Sequence, residues 1–245
     1  MIVFDESYLI RGKSYKIDDN ITVGNPTLEE ILDYGEEKYY ALISTLTATP
    51  SDYKVYLYDK GLDFETVGEF EFFCSAVRHI APTESAILFG ALDFSAMKIY
   101  AETKISGGNG EKELSIGNGS VFINSLAYML ITDFIRKING VAAYKPEKYA
   151  NEHAKQYRME IERSNMKYKK REPFKSVLLP LISAYANCPE SRYGYGTAMR
   201  LHISQFHDGV KRVIKRVHYD NIMRGLYAGT VSRKDINLDE VNWLA

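Results

Sequence analysis

The sequence predicts an α+β protein that is predominantly α-helical, and three observations lead to this class. Apolar residues recur at spacings of three and four over most of the chain, as they do on the buried face of a helix. Short apolar runs bounded by Gly, Asp and Asn predict small β-elements near the N-terminus and around residues 98–116. Hydrophobic residues make up 45% of the 245 residues, which is enough for a sizeable core. The expected architecture is a small N-terminal β-meander, a central β-hairpin and a C-terminal helical bundle.

The N-terminal region is expected to be β-rich up to residue 23. Its apolar runs at 2–4, 8–10, 14–17 and 21–23 predict a hairpin or a three-stranded meander. A helix should begin after Thr27, because Thr27 and Glu30 have the spacing of a capping box. Gly35 is expected to interrupt that helix.

Two further helices are expected before residue 80. The first covers residues 51–60 and ends at Gly61, and the second begins near Asp63 and continues to Val77. The second carries the aromatic and acidic run 70–73. We interpret this run as core aromatics beside a solvated acidic face, with a partner-binding groove as the alternative.

The central β-hairpin is predicted from strands at 98–103 and 113–116, on either side of a glycine-rich stretch at 106–110. The glycines also raise the possibility of a phosphate-binding loop. That loop requires a Gly-Lys-Ser/Thr ending and a strand-to-helix switch, and neither occurs here. The stretch is therefore expected to be a hairpin tip.

The most apolar helix is expected over 121–139, with Gly140 as its end, and it should lie in the core because it is apolar almost all round. A contrasting polar helix is predicted over 147–171, ending in a basic cluster. The next helix contains Pro180, which should kink it.

The C-terminal region is predicted to be a docking element. A helix from Ile203 to Leu226, ending before Gly229, carries an apolar stripe that includes Ile214, with basic residues on the other side. A short arm follows and contains the only tryptophan of the chain, Trp243. The candidate partner-binding residues are Lys167, Lys169, Lys170, Arg171, Lys211, Arg212, Lys215, Arg216 and Trp243.

The net charge of −1 conceals an asymmetry between the two parts of the chain. Residues 1–100 contain 17 acidic and 8 basic residues, a balance of −9, whereas residues 101–245 contain 15 acidic and 23 basic residues, a balance of +8. We expect an acidic α+β part at 1–118 and a basic helical part at 119–245, with one continuous domain as the alternative. Surfaces of opposite sign on different copies attract, so a homo-oligomer is expected.

Candidate chemical groups are few. Cys74 and Cys188 have no partners at metal-ligand spacing and are expected to be reduced thiols. His202 and His207 are five residues apart and do not share a helical face. The common hydrolase, kinase, zinc-protease and dinucleotide motifs are absent from the sequence. We therefore expect no metal, no cofactor and no enzymatic activity.

No apolar stretch reaches the roughly 18 residues of a membrane-spanning helix, and the N-terminus does not have the pattern of a secretory signal. The expectation is that the protein neither enters a membrane nor is secreted by a standard signal.

Several short motifs resemble a group of uncharacterised proteins encoded in the structural-gene region of tailed bacteriophages of Gram-positive bacteria. These motifs lie at 25–36, 46–52, 62–64 and 219–230, with Asn242-Trp243 near the end. The resemblance implies a role in virion morphogenesis, as a structural component or chaperone of the tail. It implies other virion or assembly proteins as partners, and the host cytoplasm during assembly as the location, with the finished virion as a second one.

A nucleic-acid-binding protein is the competing hypothesis, using the basic cluster at 167–171 and the basic face at 211–216. An enzyme acting on a small substrate is the third. Only the nucleic-acid hypothesis requires steeply salt-dependent binding to DNA or RNA.

Overall fold

The computed structural model describes residues 5–106, 109–142, 149–168 and 172–244, and it confirms a predominantly helical α+β protein. The helices are α1 (Ser7–Ile10), α2 (Leu28–Tyr34), α3 (Glu36–Leu46), α4 (Lys54–Asp59), α5 (Glu69–Val77), α6 (Pro82–Phe89), α7 (Ser125–Asn139), α8 (Glu152–Tyr168), α9 (Leu178–Asn187), α10 (Tyr195–Ala198), α11 (Ile203–Tyr227) and α12 (Leu238–Val241). The strands are β1 (Tyr15–Lys16), β2 (Thr22–Val23), β3 (Lys98–Ser106), β4 (Asn109–Gly117) and β5 (Phe122–Asn124).

The N-terminal β-element is a two-stranded antiparallel sheet in which Tyr15 of β1 pairs with Val23 of β2. The predicted three-stranded meander is wrong at residues 8–10, which form part of α1. Asp5 explains the difference, because its carboxylate accepts hydrogen bonds from the backbone N and the hydroxyl of Ser7 and so favours a helical turn. The predicted strand at 2–4 lies outside the described residues.

The capping box at the start of α2 is confirmed. The Glu30 carboxylate accepts a hydrogen bond from Thr27 N at 2.7 Å, and Glu30 N donates to Thr27 Oγ1 at 3.2 Å. Gly35 separates α2 from α3 with a φ of 103°, a conformation that other residues rarely adopt. The predicted interruption at Gly35 is therefore also confirmed.

The central hairpin is confirmed and is longer than predicted, since β3 and β4 pair from Lys98–Gly117 to Ser106–Asn109. A third strand, β5, adds to β4 and was not predicted. The expected helix start at residue 121 is wrong for this reason. Ile123 of β5 is buried between two exposed neighbours, and Asn124 then accepts a hydrogen bond from Ala127 N at 2.9 Å and caps α7.

Helix α7 lies in the main core, as predicted, but it is not apolar all round. Leu126 is 41% exposed and Met129 is 52% exposed. The buried face packs with residues from both ends of the chain. The core includes Ile21, Leu28, Tyr39, Phe73, Leu88, Phe94, Ile116, Ile131, Phe134, Ile135, Ile138, Ile182, Ile203 and Phe206. The predicted division at residues 118 and 119 stays a prediction.

A smaller apolar cluster joins α4 to α8. It contains Val55, Leu57, Phe64 and Met159. Helix α5 begins at Glu69 and not near Asp63, because residues 63–67 form a turn in which the Asp63 carboxylate accepts from Glu65 N. Of the predicted helix 147–171, residues 149–151 are not helical, and 147–148 and 169–171 lie outside the described residues.

Pro180 lies in the first turn of α9, where a proline gives no reason to expect a kink. It is the third residue of the helix, within the first turn, where backbone N–H groups have no partner inside the helix. A proline at this position therefore removes no helical hydrogen bond.

Candidate partner-binding site

Helix α11 is anchored in the main core through its N-terminal half. Ile203 and Phe206 are fully buried in the main core, and Ile203 N donates to Pro26 O at 2.8 Å. From Lys211 to Tyr227, no residue of the helix is buried. At about 1.5 Å per residue, this part of α11 is roughly 25 Å long. This segment therefore presents a long, partly exposed surface, although Val213 still packs against the main core.

The basic face of α11 consists of Lys211, Arg212, Lys215 and Arg216. Each arginine pairs with an aspartate one turn away on the same helix. Arg212 Nε lies 3.5 Å from Asp208 Oδ1, and Arg216 Nε lies 3.1 Å from an Asp220 oxygen. The face is thus basic overall but contains acidic groups within it.

The apolar stripe predicted for α11 is correct in its first turns and interrupted at Ile214 and Val217, whereas Ile222, Met223 and Leu226 are partly buried. Ile214 was placed on the buried side, but it is 62% exposed, and Val217 is also exposed. A continuous 3.6-residue period does not show where the underlying core ends. The result is a surface on which exposed apolar groups alternate with cations.

The C-terminal arm, defined as residues 230–244, folds back along α11. Thr230 N and Val231 N both donate to Gly225 O, at 3.0 Å and 3.2 Å, and Gly229 adopts the left-handed conformation that such a helix end requires. Gly225 has a specific role, because a Cβ atom there would lie 2.7 Å from a methyl group of Val231. The turn directs the arm toward the N-terminal end of α11.

Trp243 contacts the basic face. Arg212 Nη1 donates to the main-chain carbonyl of Trp243 at 3.1 Å, and the Arg216 guanidinium lies 4.8 Å from the centroid of the indole ring. The structure therefore brings together three of the predicted partner-binding residues. It places the arm on the protein's own helix.

Lys211 and Lys215 lie on the same basic face, whereas Lys167 does not. Lys167 is exposed near the end of α8, which packs on α4, whereas α11 packs on α7 and α1. Lys169, Lys170 and Arg171 lie outside the described residues.

A cavity of about 510 Å³ lies beside the basic face, between α1, α7 and α11. Lys211 and Arg212 line it together with Lys137 and Glu6, whose charged groups are 3.3 Å apart. Sequence reasoning missed Lys137 and Glu6. The only local signal was a basic residue in the last turn of α7, which by itself indicates helix-dipole compensation.

Of the candidate chemical groups, His207 lines this cavity, whereas Cys74 lies in α5. Burial raises the pKa of the Cys74 thiol to about 12, the opposite of what a nucleophilic cysteine requires. Within the described residues, no three His, Cys, Asp or Glu side chains are grouped in a way that could hold a metal ion. None of the helices in this part of the chain is both long and apolar enough to cross a membrane.

A comparison with family models finds one similarity, which covers α9–α12. Residues 169–245 match the model described as the YomV second domain. YomV is a Bacillus phage-region protein, so the match suggests a phage-associated protein. No curated protein and no solved structure matches the chain.

Proposed function

We propose that this chain is a structural or assembly protein of a tailed phage that acts in tail morphogenesis through protein–protein contacts. The observation that carries the proposal is the surface of α11 from Lys211 to Tyr227, in which no residue is fully buried and Ile214 and Val217 are exposed. A helix of this length is marginal in water unless an apolar face packs against something. Its exposed Ile214 and Val217 therefore favour a protein partner.

The phage-region family match supports the proposal, because it covers the whole of α11 and the arm. The basic face favours a partner with an acidic surface, since charge complementarity raises both specificity and association rate. Other virion or assembly proteins, together with further copies of this chain, are the proposed partners. The host cytoplasm is the proposed location during assembly.

The composition of the face argues against nucleic acid as its main partner. Phosphate contacts are made by Lys and Arg, and exposed apolar groups contribute little to them. Asp208 and Asp220 reduce the charge of the face, and each pairs with one of its arginines.

Gene inactivation in the encoding phage tests the proposal. We expect particles without complete tails in the null mutant, seen by electron microscopy, and rescue by the wild-type chain. The double variant Arg212→Ala/Arg216→Ala should rescue poorly, whereas Arg224→Ala, which removes an exposed arginine of the same helix, should rescue well. Normal tails and normal phage yield without the gene would refute the proposal.

A second measurement separates the nucleic-acid alternative. The purified protein should show no steep decrease in duplex DNA affinity with rising salt, because it makes few phosphate contacts. Tight and strongly salt-dependent DNA binding that is lost in Arg212→Ala/Arg216→Ala would establish the alternative.

A further inference from the structure

We propose that the C-terminal arm is a removable cap on the basic face of α11, and that an acidic protein surface displaces it. This inference rests on the proposed function, since it assigns a regulation to the same partner-binding face. The arm already contacts the basic face through Trp243, which lies against Arg212 and Arg216. A partner that uses these arginines must compete with the arm.

The described side chains of the arm lie at the surface. Among its residues whose side chains the structure describes, none is buried, and Val231 and Leu244 are 37% and 72% exposed. A cation–π contact at an exposed site and a hydrogen bond to a neutral carbonyl are modest interactions. The arm can therefore leave the face without disturbing the main core, to which α11 is attached by Ile203 and Phe206.

The contacts also indicate what would replace the arm. Arg212 donates to an uncharged carbonyl oxygen, and Arg216 lies over an aromatic ring. A carboxylate forms a stronger, charge-assisted and often bidentate pair with a guanidinium. Each arginine also pairs with an aspartate of α11, so the arm contacts only part of each guanidinium group. Acidic side chains of a partner that form charge-assisted hydrogen bonds with the remaining N–H groups would therefore compete with Trp243 for both arginines.

The surroundings of the two arginines favour an acidic protein over nucleic acid. Ile214 and Val217 are exposed on the same segment, and Asp208 and Asp220 interrupt the positive charge. A protein surface can bury the apolar groups and accommodate the aspartates, whereas a uniform row of phosphates does neither.

Trp243 is the only tryptophan of the chain, so its fluorescence reports the position of the arm directly. A labelled polyglutamate peptide is the probe for an acidic surface. We expect saturating polyglutamate to increase the quenching of Trp243 by acrylamide, because the indole leaves the Arg216 guanidinium. Binding of polyglutamate with no change in the accessibility of Trp243 would overturn the proposal.

Two variants that release the arm by different means complete the test. Gly225→Ala keeps α11 helical but places a Cβ atom against Val231, and Trp243→Ala removes the aromatic contact. Both should bind polyglutamate roughly fivefold to tenfold more tightly than the wild type, because the competing state is removed. Unchanged affinity in both variants would refute the cap.

The controls separate the cap from the binding face. Arg212→Ala/Arg216→Ala should bind polyglutamate much more weakly than Arg224→Ala does. Equal affinities of these two variants would show that polyglutamate does not bind at the basic face. If the variant Gly225→Ala binds duplex DNA but does not bind polyglutamate, the basic face is a nucleic-acid site and the proposal is overturned. If the cap fails but tail assembly still requires the gene, the proposed function stands without this regulation.

Discussion

At the scale of single residues, Glu36 connects distant parts of the chain. It is 7% exposed, and its carboxylate accepts hydrogen bonds from Val177 N at 2.7 Å, from Leu178 N at 2.8 Å and from the Ser176 hydroxyl. These donors lie at the N-terminus of α9, where backbone N–H groups have no partners within the helix and negative charge is favourable. Glu36 therefore caps a helix that begins about 140 residues later in the sequence.

Replacing Glu36 with Ala should be strongly destabilising. The change leaves buried donors without an acceptor, which costs on the order of 2–4 kcal/mol in the free energy of unfolding. Urea denaturation measures the loss. Glu37→Ala changes the exposed neighbouring carboxylate and should stay within about 0.5 kcal/mol of the wild type. Equal midpoints for the two variants would show that the cap contributes little.

His207 gives a prediction for pH dependence. Burial lowers the pKa of its imidazole below the ordinary value of 6.5, and its Nε2 has no hydrogen-bond partner within the described residues. The unfolded chain therefore binds a proton at His207 more readily than the folded chain does. As a result, the free energy of unfolding decreases as the pH falls through and below about 6.5. The variant His207→Leu should lose less stability between about pH 7 and pH 5 than the wild type does, measured by urea denaturation. Identical losses in the two proteins would contradict this assignment.

At the scale of secondary-structure elements, α7 and α8 are held by different forces. Helix α7 is held by apolar packing, and Ile131 is fully buried. We expect Ile131→Ala to destabilise the protein by about 2–5 kcal/mol, because it leaves a cavity in the main core. Leu126→Ala, at a position 41% exposed, is the matched control and should cost less than about 1 kcal/mol. The midpoints of chemical denaturation would show the contrast, and a reversed order would place the core elsewhere.

Helix α8 is held to a large extent by charges. Lys155 is almost completely buried and lies 2.6 Å from an Asp63 oxygen and 2.7 Å from a Glu65 oxygen, above the ring of Phe64. Lys54 and Glu162 form a second pair at 2.8 Å, and both side chains are mostly buried. These pairs attach a polar helix to the small cluster around α4.

Salt should therefore loosen α8 before it affects α7. We expect amide hydrogen exchange in α8 to accelerate between about 0.05 M and about 1 M salt, because the two carboxylates that hold Lys155 are themselves partly exposed and can be screened. Exchange in α7 should change little, since apolar packing is not weakened by salt. An equal response of the two helices would show that the ion pairs do not determine how α8 is attached.

Local signals made some elements predictable and left others out of reach. The capping box at Thr27 and the glycine after α11 act within a few residues, so the sequence shows them directly. The short strand β5 has only three residues and depends on β4, and Glu36 caps α9 across a separation that no local pattern contains. In the candidate site, the basic face was predictable from helical spacing. The docking of Trp243 on that face was not, because it depends on where the arm turns after Gly229.

At the scale of the whole molecule, the uneven charge predicts self-association. Residues 1–100 carry a balance of −9 and residues 101–245 a balance of +8, so unlike surfaces of two copies attract each other. Sedimentation velocity should show larger species at about 0.05 M salt than at about 0.5 M, where screening acts over a shorter distance. Arg212→Glu/Arg216→Glu should reduce the larger species more than Arg224→Glu does. A monomer at every salt concentration would rule the association out.

The hydrogen bonds that join α9 and α11 to the first forty residues have a consequence for genetic recombination. The region 169–245, which matches a family model, is joined to the first part of the chain by hydrogen bonds. Ile203 N–Pro26 O and Asn25 Nδ2–Ser204 Oγ join it to the loop before α2, Leu28 N–Leu201 O joins it to the start of α2, and Glu36 joins it to α3. If recombination replaced this region alone, the buried Glu36 carboxylate and the buried Asn25 amide would have to form their hydrogen bonds with a different sequence. Viable recombinants should therefore either keep the hydroxyl and backbone partners of these two residues or replace both parts of the gene together.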